Sequence, residues 1–203
     1  MHRIAFFLLF CLIAPAAHAQ RAIDNTSPFR DLGLPAANNI RNGAGRPGAA
    51  YWQQRVDYTI KGTLDTEKNQ LHGTETIRYT NNSPDALPYL WMHLEQNMCA
   101  PTSVTNQLNQ PPLIFLGSVF DFSCQGFEGG IWVTRIQAGG RDLAHTVYNT
   151  TMRVDLPEAI QPGDRLDIEV DWYFIIPPYG GARMGRDGPL YEIAQWYPRL
   201  AVY

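Results

Sequence analysis

The sequence predicts an all-β fold, one large antiparallel sheet or a sandwich, and three observations carry that expectation. Long stretches alternate apolar and polar side chains, clusters of Asn, Gly, Pro and Asp separate them, and no later stretch shows a 3.6-residue period. A period of two sends successive side chains to opposite faces of a strand, so one face of each segment is built for burial. At 203 residues, with 45% hydrophobic and 12% aromatic side chains, the chain is long enough to bury one sizeable core.

The first nineteen residues read as a secretory signal: His2 and Arg3 open it, an apolar stretch runs from Ile4 to Pro15, and Ala17-His18-Ala19 precedes Gln20 as a cleavage site. That stretch is short of the roughly 20 residues a membrane span needs, so the expectation is an exported, periplasmic or extracellular protein with no transmembrane segment. Phe10 before Cys11 is too large for a lipoprotein site, which disfavours a lipid anchor. Residues 20–50, with runs such as Asn42-Gly43-Ala44-Gly45-Arg46-Pro47-Gly48, read as a flexible leader, and residues 51–203 as a β-domain.

In that domain Trp52, Val56, Tyr58, Ile60 and Leu64 alternate with Gln53, Arg55, Asp57, Thr59, Lys61 and Thr63 as a first strand. Asp65 to Asn69 supplies a turn. Leu71, Gly73, Glu75, Ile77 and Tyr79 then alternate with His72, Thr74, Thr76 and Arg78 to complete a long hairpin. Asn81-Asn82-Ser83-Pro84 breaks it, and Pro88 to Leu94 is apolar on both faces, the mark of a central strand. From Glu95 to Gly130 the periodicity fades into an insertion. It resumes at Ile131 to Ile136; Gly139-Gly140 marks a tight turn, and strands follow at Asp142 to Val147 and Met152 to Leu156. After Gln161-Pro162-Gly163-Asp164 comes the clearest strand, Leu166, Ile168, Val170, Trp172, Phe174 and Ile176 against Asp167, Glu169, Asp171 and Tyr173. The apolar pattern continues undiminished to Tyr203, so the domain is expected to be incomplete at that end.

A net charge of -3 without any basic block leaves no electrostatic footprint for nucleic acid. Beyond the signal the cysteines are Cys99 and Cys124, an even count that in an oxidising compartment favours one disulfide over two buried thiols. No H-E-x-x-H and no G-x-S-x-G occur, so the chain holds neither a zinc-peptidase motif nor a serine nucleophile elbow. Catalytic and metal-ligating residues are therefore expected to be absent, and no cofactor is assigned to this chain. His72, His93 and His145 each stand alone, and Asp167, Glu169 and Asp171 read as the solvated face of their strand. The aromatics Trp172, Tyr179, Tyr191, Trp196 and Tyr197 permit two readings, packing against another domain or stacking on the rings of a glycan.

Several segments together resemble the opening domain of the aminopeptidase N family of zinc metallopeptidases. They are Val56-Asp57-Tyr58 with Leu64-Asp65, Leu71-His72-Gly73-Thr74-Glu75-Thr76-Ile77, Leu90-Trp91-Met92-His93-Leu94, Leu156-Pro157 through Pro162-Gly163-Asp164 to Trp172-Tyr173, and Ala194-Gln195-Trp196-Tyr197-Pro198-Arg199. The resemblance covers about Tyr51 to Tyr203, and the segment around Cys99 to Cys124 departs from it. It implies a saddle-shaped β-domain beside a thermolysin-like catalytic domain, which would hold one zinc and cleave N-terminal residues from peptides. It also implies that Glu192, Gln195 and Arg199 line the substrate cleft. The alternative expectation is a stand-alone exported β-sandwich that binds a glycan or protein through its aromatic cluster.

Overall fold

The computed structural model describes residues 36–108, 113–115, 118–120, 124, 127–178 and 184–203. The signal segment, the first part of the leader and Tyr179 lie outside the described residues. The chain divides into two units, Met1–Gly48 and Ala49–Tyr203. In the first, an Arg41–Pro47 bridge closes a short loop. The Asn38 and Asn42 side-chain oxygens accept amides two to four residues ahead, which is the local bonding that makes Asn a turn former.

The second unit is built of β1 (Arg55–Asp65), β2 (Gln70–Thr80), β3 (Leu87–His93), a 3-10 turn (Glu95–Cys99), α1 (Val104–Leu108), β4 (Leu113–Phe115) and β5 (Ser118–Phe120). It continues with β6 (Ile131–Ala138), β7 (Arg141–Asp142), β8 (His145–Tyr148), β9 (Thr151–Ile160) and β10 (Arg165–Ile175). Last come β11 (Met184–Asp187), β12 (Leu190–Ile193) and β13 (Arg199–Leu200). The fold is all-β and antiparallel. A five-stranded sheet runs β1-β2-β10-β6-β7, a four-stranded sheet runs β13-β3-β9-β8, and β4-β5 and β11-β12 form two-stranded ribbons. The two larger sheets share one hydrophobic cluster, Ile77, Tyr79, Ile168, Val170, Trp172 and Phe174 from one and Leu90, Met92, Met152 and Val154 from the other. That is a sandwich, in which each fully buried aliphatic side chain contributes about 1.5–3 kcal/mol.

The β1–β2 hairpin is in unbroken register from Arg55↔Thr80 to Asp65↔Gln70, and the Asp65 carboxylate caps its turn by accepting the Glu67 and Lys68 amides. Asn69 completes that turn at φ 52, in the left-handed region that Asn tolerates. Gly73 leaves room for the Trp172 ring of β10, which lies 2.1 Å from where a Cβ would stand. Asn81, fully buried, anchors the next corner: its amide donates to the Asp85 and Ile160 carbonyls and its oxygen accepts the Ser83 hydroxyl.

Two expectations need correction. The third strand is central in its sheet, between β13 and β9, but it is buried on one face only, because Leu87, Leu90 and Met92 are inside while Tyr89 and Trp91 are 38% and 37% exposed. The single strand expected over Asp142 to Val147 is two strands in different sheets. Arg141–Asp142 pairs with β6, the chain turns inward at buried Leu143, and His145–Tyr148 then pairs with β9. Its alternating polarity looks continuous, but a strand that crosses between layers must break its ladder at the corner. The stretch between β3 and β6 carries the disulfide Cys99–Cys124, with Cα atoms 5.4 Å apart. Closing a loop of that length stabilises by about 3 kcal/mol in the chain-entropy account.

Candidate functional site

Residues 194–201 form a strap along the sandwich, and the sequence dictates how it is held. Gln195 takes φ 49, and the Gln96 side-chain amide secures that unfavoured backbone by donating to the Ala194 and Gln195 carbonyls at 3.3 and 3.0 Å. Next, the Trp196 ring lies over Gly62, 3.6 Å from the position of a missing Cβ, with its centroid 5.8 Å from that of Trp172. Tyr197 meets Tyr58 edge to face at 5.5 Å, and the Leu200 amide donates to the Tyr58 hydroxyl at 2.9 Å. Finally, β13 pairs with β3 through Arg199↔His93, and the Arg199 Nε donates to Glu95 at 2.9 Å.

The three residues expected at a cleft occupy different places on this segment. Glu192 is exposed on β12 opposite Gly185, the Gln195 side chain is exposed at the strap's bend, and Arg199 is held by Glu95. Among the described residues no hydrogen bond or ion pair joins any two of them. The described members of the aromatic cluster pack on this domain's own core: Trp172 is 2% exposed, and Tyr191, Trp196 and Tyr197 are partly buried against it. The aromatics left facing outward lie elsewhere. On the four-stranded sheet Tyr89, Trp91 and Tyr148 form a chain of ring contacts, with the Arg153 guanidinium 4.2 Å from the Tyr89 centroid. On the five-stranded sheet His72, Tyr173 and Trp132 stack across three adjacent strands at 5.4 and 5.1 Å.

Beneath the β-domain's surface Glu75 is the anomaly. It shares the inward side of β2 with Leu71, Gly73, Ile77 and Tyr79, is 3% exposed, and neither carboxylate oxygen has a hydrogen-bond partner. Burial pushes its carboxyl up to about 8, so it is a neutral acid at physiological pH. Tyr58, diagonal to it on β1, is also raised, first by burial and also by Glu75, against the Leu200 amide that donates to it. The alternation placed Glu75 inside, and that was the signal for a buried carboxyl.

The acids of β10 are paired, with Asp167 and Glu169 exposed and Asp171 half-buried. Arg78 binds Asp167 through two bonds of 2.8 Å and holds that carboxyl below the ordinary range, while Arg135 reaches Asp171 at 2.7 Å and Glu169 at 2.8 Å. The histidines are dispersed: His72 stacks on Tyr173, His93 lies in β3, and His145 Nδ1 is 3.2 Å from the Leu143 carbonyl oxygen. Among the described residues no three His, Cys, Asp or Glu side chains are grouped to hold a metal ion. A zinc has no seat on these side chains, and no chemical step is assigned through one. No helix of the described residues is long and apolar enough to cross a membrane.

No family model matches the chain, and no curated protein matches it. Solved structures similar to it include the M1 zinc metallopeptidase from Deinococcus radiodurans, at 13% identity and a TM-score of 0.39 over 64% of this chain and 22% of that one. A mutant of the Deinococcus radiodurans enzyme bound to a Tyr-Ser-Ala substrate gives 12% identity and a TM-score of 0.42 over 67% of this chain and 25% of that one. A mutant two-domain M1 zinc metallopeptidase bound to L-tryptophan gives 12% and 0.39 over 64% and 22%. The chain thus spans about a quarter of the length of these proteins.

Proposed function

We propose that this chain is the N-terminal β-domain of an exported zinc peptidase of the aminopeptidase N type, and that it carries no chemistry of its own. The observation that carries the reading is how the resembling segments come together. Residues 56–65 and 71–77 form one hairpin, residues 90–94 lie in or beside β3, and residues 194–199 form the strap that rests on the first and pairs with the second. Segments far apart in sequence thus meet along the strap, and that meeting of the resembling segments supports the reading. On this reading the β-domain binds a thermolysin-like catalytic domain and helps shape its peptide cleft, to which Glu192 and the strap residues Gln195 and Arg199 contribute. The Cys99–Cys124 disulfide and the N-terminal signal support export to the periplasm or beyond.

The test is direct. The purified 203-residue chain should carry no stoichiometric zinc by elemental analysis and should leave aminoacyl-nitroanilides intact. Zinc at one per chain, or turnover that chelation abolishes, would overturn the assignment.

A further inference from the structure

The outer face of the five-stranded sheet carries a groove of about 340 Å³ that runs across β1, β2, β10 and β6. Its lining falls into rungs set by register: Thr59 beside Thr76 and Glu169, then Lys61 beside Thr74, Asp171 and Arg135. The next rung along the same strands is aromatic, with His72, Tyr173 and Trp132 stacked on one another at 5.4 and 5.1 Å. A β-bulge brings the two rungs together. The β10–β6 register shifts at Asp171/Trp172, so Trp132 and Arg135, three residues apart, both face outward while Val133 and Ile136 pack on the core. In an unbroken strand that odd spacing would send one of them inside.

What the groove fits follows from its lining. Arg135 is fixed by Asp171 and Glu169 at 2.7 and 2.8 Å. The Thr59, Thr74 and Thr76 hydroxyls and the Lys61 ammonium have no hydrogen-bond or ion-pair partner among the described residues. Glu75 completes the lining, and both its carboxylate oxygens are buried. Lys61 and Arg135 balance Glu169 and Asp171, so a ligand of either net charge meets its like in the groove. A polyol can instead donate to the carboxylates and accept from the lysine and the threonines. At the end of the aromatic rung Trp132 is 39% exposed, and β7 pairs with β6 only at Gln137 and Ala138, so no described strand stands beside the indole. A flat apolar ring thus borders a hydrogen-bonding trough, which matches a pyranose with C–H groups on one face and hydroxyls around its rim. Four strands about 4.8 Å apart give the groove a length of about 14 Å, more than one sugar ring. We infer that this face binds a neutral oligosaccharide, with Trp132 stacked on one ring and the threonines, Lys61 and the Arg135-held carboxylates bonding the hydroxyls of the next.

The probes are glucose, maltohexaose, cellohexaose and hexagalacturonic acid, titrated into the whole chain and followed by amide shifts of Lys61, Thr74 and Asp171 and by the Trp132 indole signal. Saturable binding of at least one neutral hexaose is expected, about tenfold or more tighter than glucose or the acidic hexamer. Trp132→Ala removes an exposed ring and should weaken that binding about tenfold. Thr74→Val removes one exposed hydroxyl and should weaken it roughly threefold. Trp91→Ala, on the other sheet, should leave it unchanged. No saturable shift with either neutral hexaose, equal or tighter binding of glucose or the acidic hexamer, affinity that survives both Trp132→Ala and Thr74→Val, or loss of binding in Trp91→Ala would overturn the inference.

Discussion

Glu75 shows what one side chain in a strand can do to a whole protein. Its carboxyl is raised to about 8 from an ordinary value of 4.5, so the folded state holds a proton that the unfolded chain releases. The favourable neutral form is fully present below pH 4.5, and its contribution is lost as pH rises to about 8. Stability should therefore fall with pH in that window by up to about 1.4 kcal/mol per unit. Glu75→Gln should remove that slope, matching the native chain near pH 5 and exceeding it at pH 8, as urea unfolding at several pH values will read. A native chain whose stability is flat over this range would refute the burial of an unpaired acid. Gly73, two residues earlier, makes a second demand. A Cβ there would lie 2.1 Å from the ring of Trp172, which is itself 2% exposed and cannot swing away. Gly73→Ala should cost about 3 kcal/mol of unfolding free energy by thermal or chemical melts.

At the scale of elements the strap rests on a few contacts of unequal weight. The hydrogen bond from the Leu200 amide ends on a half-buried phenol, whereas the Arg199–Glu95 pair leaves the arginine 46% exposed and screened by solvent. Tyr58→Phe should cost about 1 kcal/mol and speed hydrogen exchange at the Leu200 amide, while Arg199→Ala should change global stability by less than about 0.5 kcal/mol. The reverse order would mean that charge, not the Tyr58 anchor, seats the strap. These elements were unevenly legible in the sequence. The hairpin and β10 could be read because their inward side chains, mostly apolar, recur at every second residue over eleven positions, and β2 pairs with both β1 and β10 in unbroken register, although β10 shifts against β6 at Asp171/Trp172. The break at Leu143 was hidden, because a strand that changes sheets keeps its polarity pattern while changing partners. Tyr89 and Trp91 misled for a related reason: aromatic side chains suit a sheet surface as well as a core, so a fully apolar strand need not be covered on both faces.

Across the β-domain the sandwich assembles a core, a disulfide-tied insertion and a strap; Arg78, Arg135, Asp167, Glu169 and Asp171 pair on an outer face, while Glu75 is sealed inside. The aromatic residues near the C-terminal end were legible as a cluster, but not which would be buried: Trp172 lies over Gly73 by the cross-strand register and Trp196 lies over Gly62 by the course of the strap, neither a matter of local sequence. The cleft candidates Glu192, Gln195 and Arg199 came from resemblance, and they stand at three different places, on β12, at the strap's bend and on β13. The measurement that bears most directly on this account is the metal content and activity of the natural gene product, isolated from its source with an antibody against the β-sandwich. The account predicts one zinc per molecule and hydrolysis of aminoacyl-nitroanilides that stops on chelation. A metal-free, inactive product with the mass of this chain less its signal segment would contradict it.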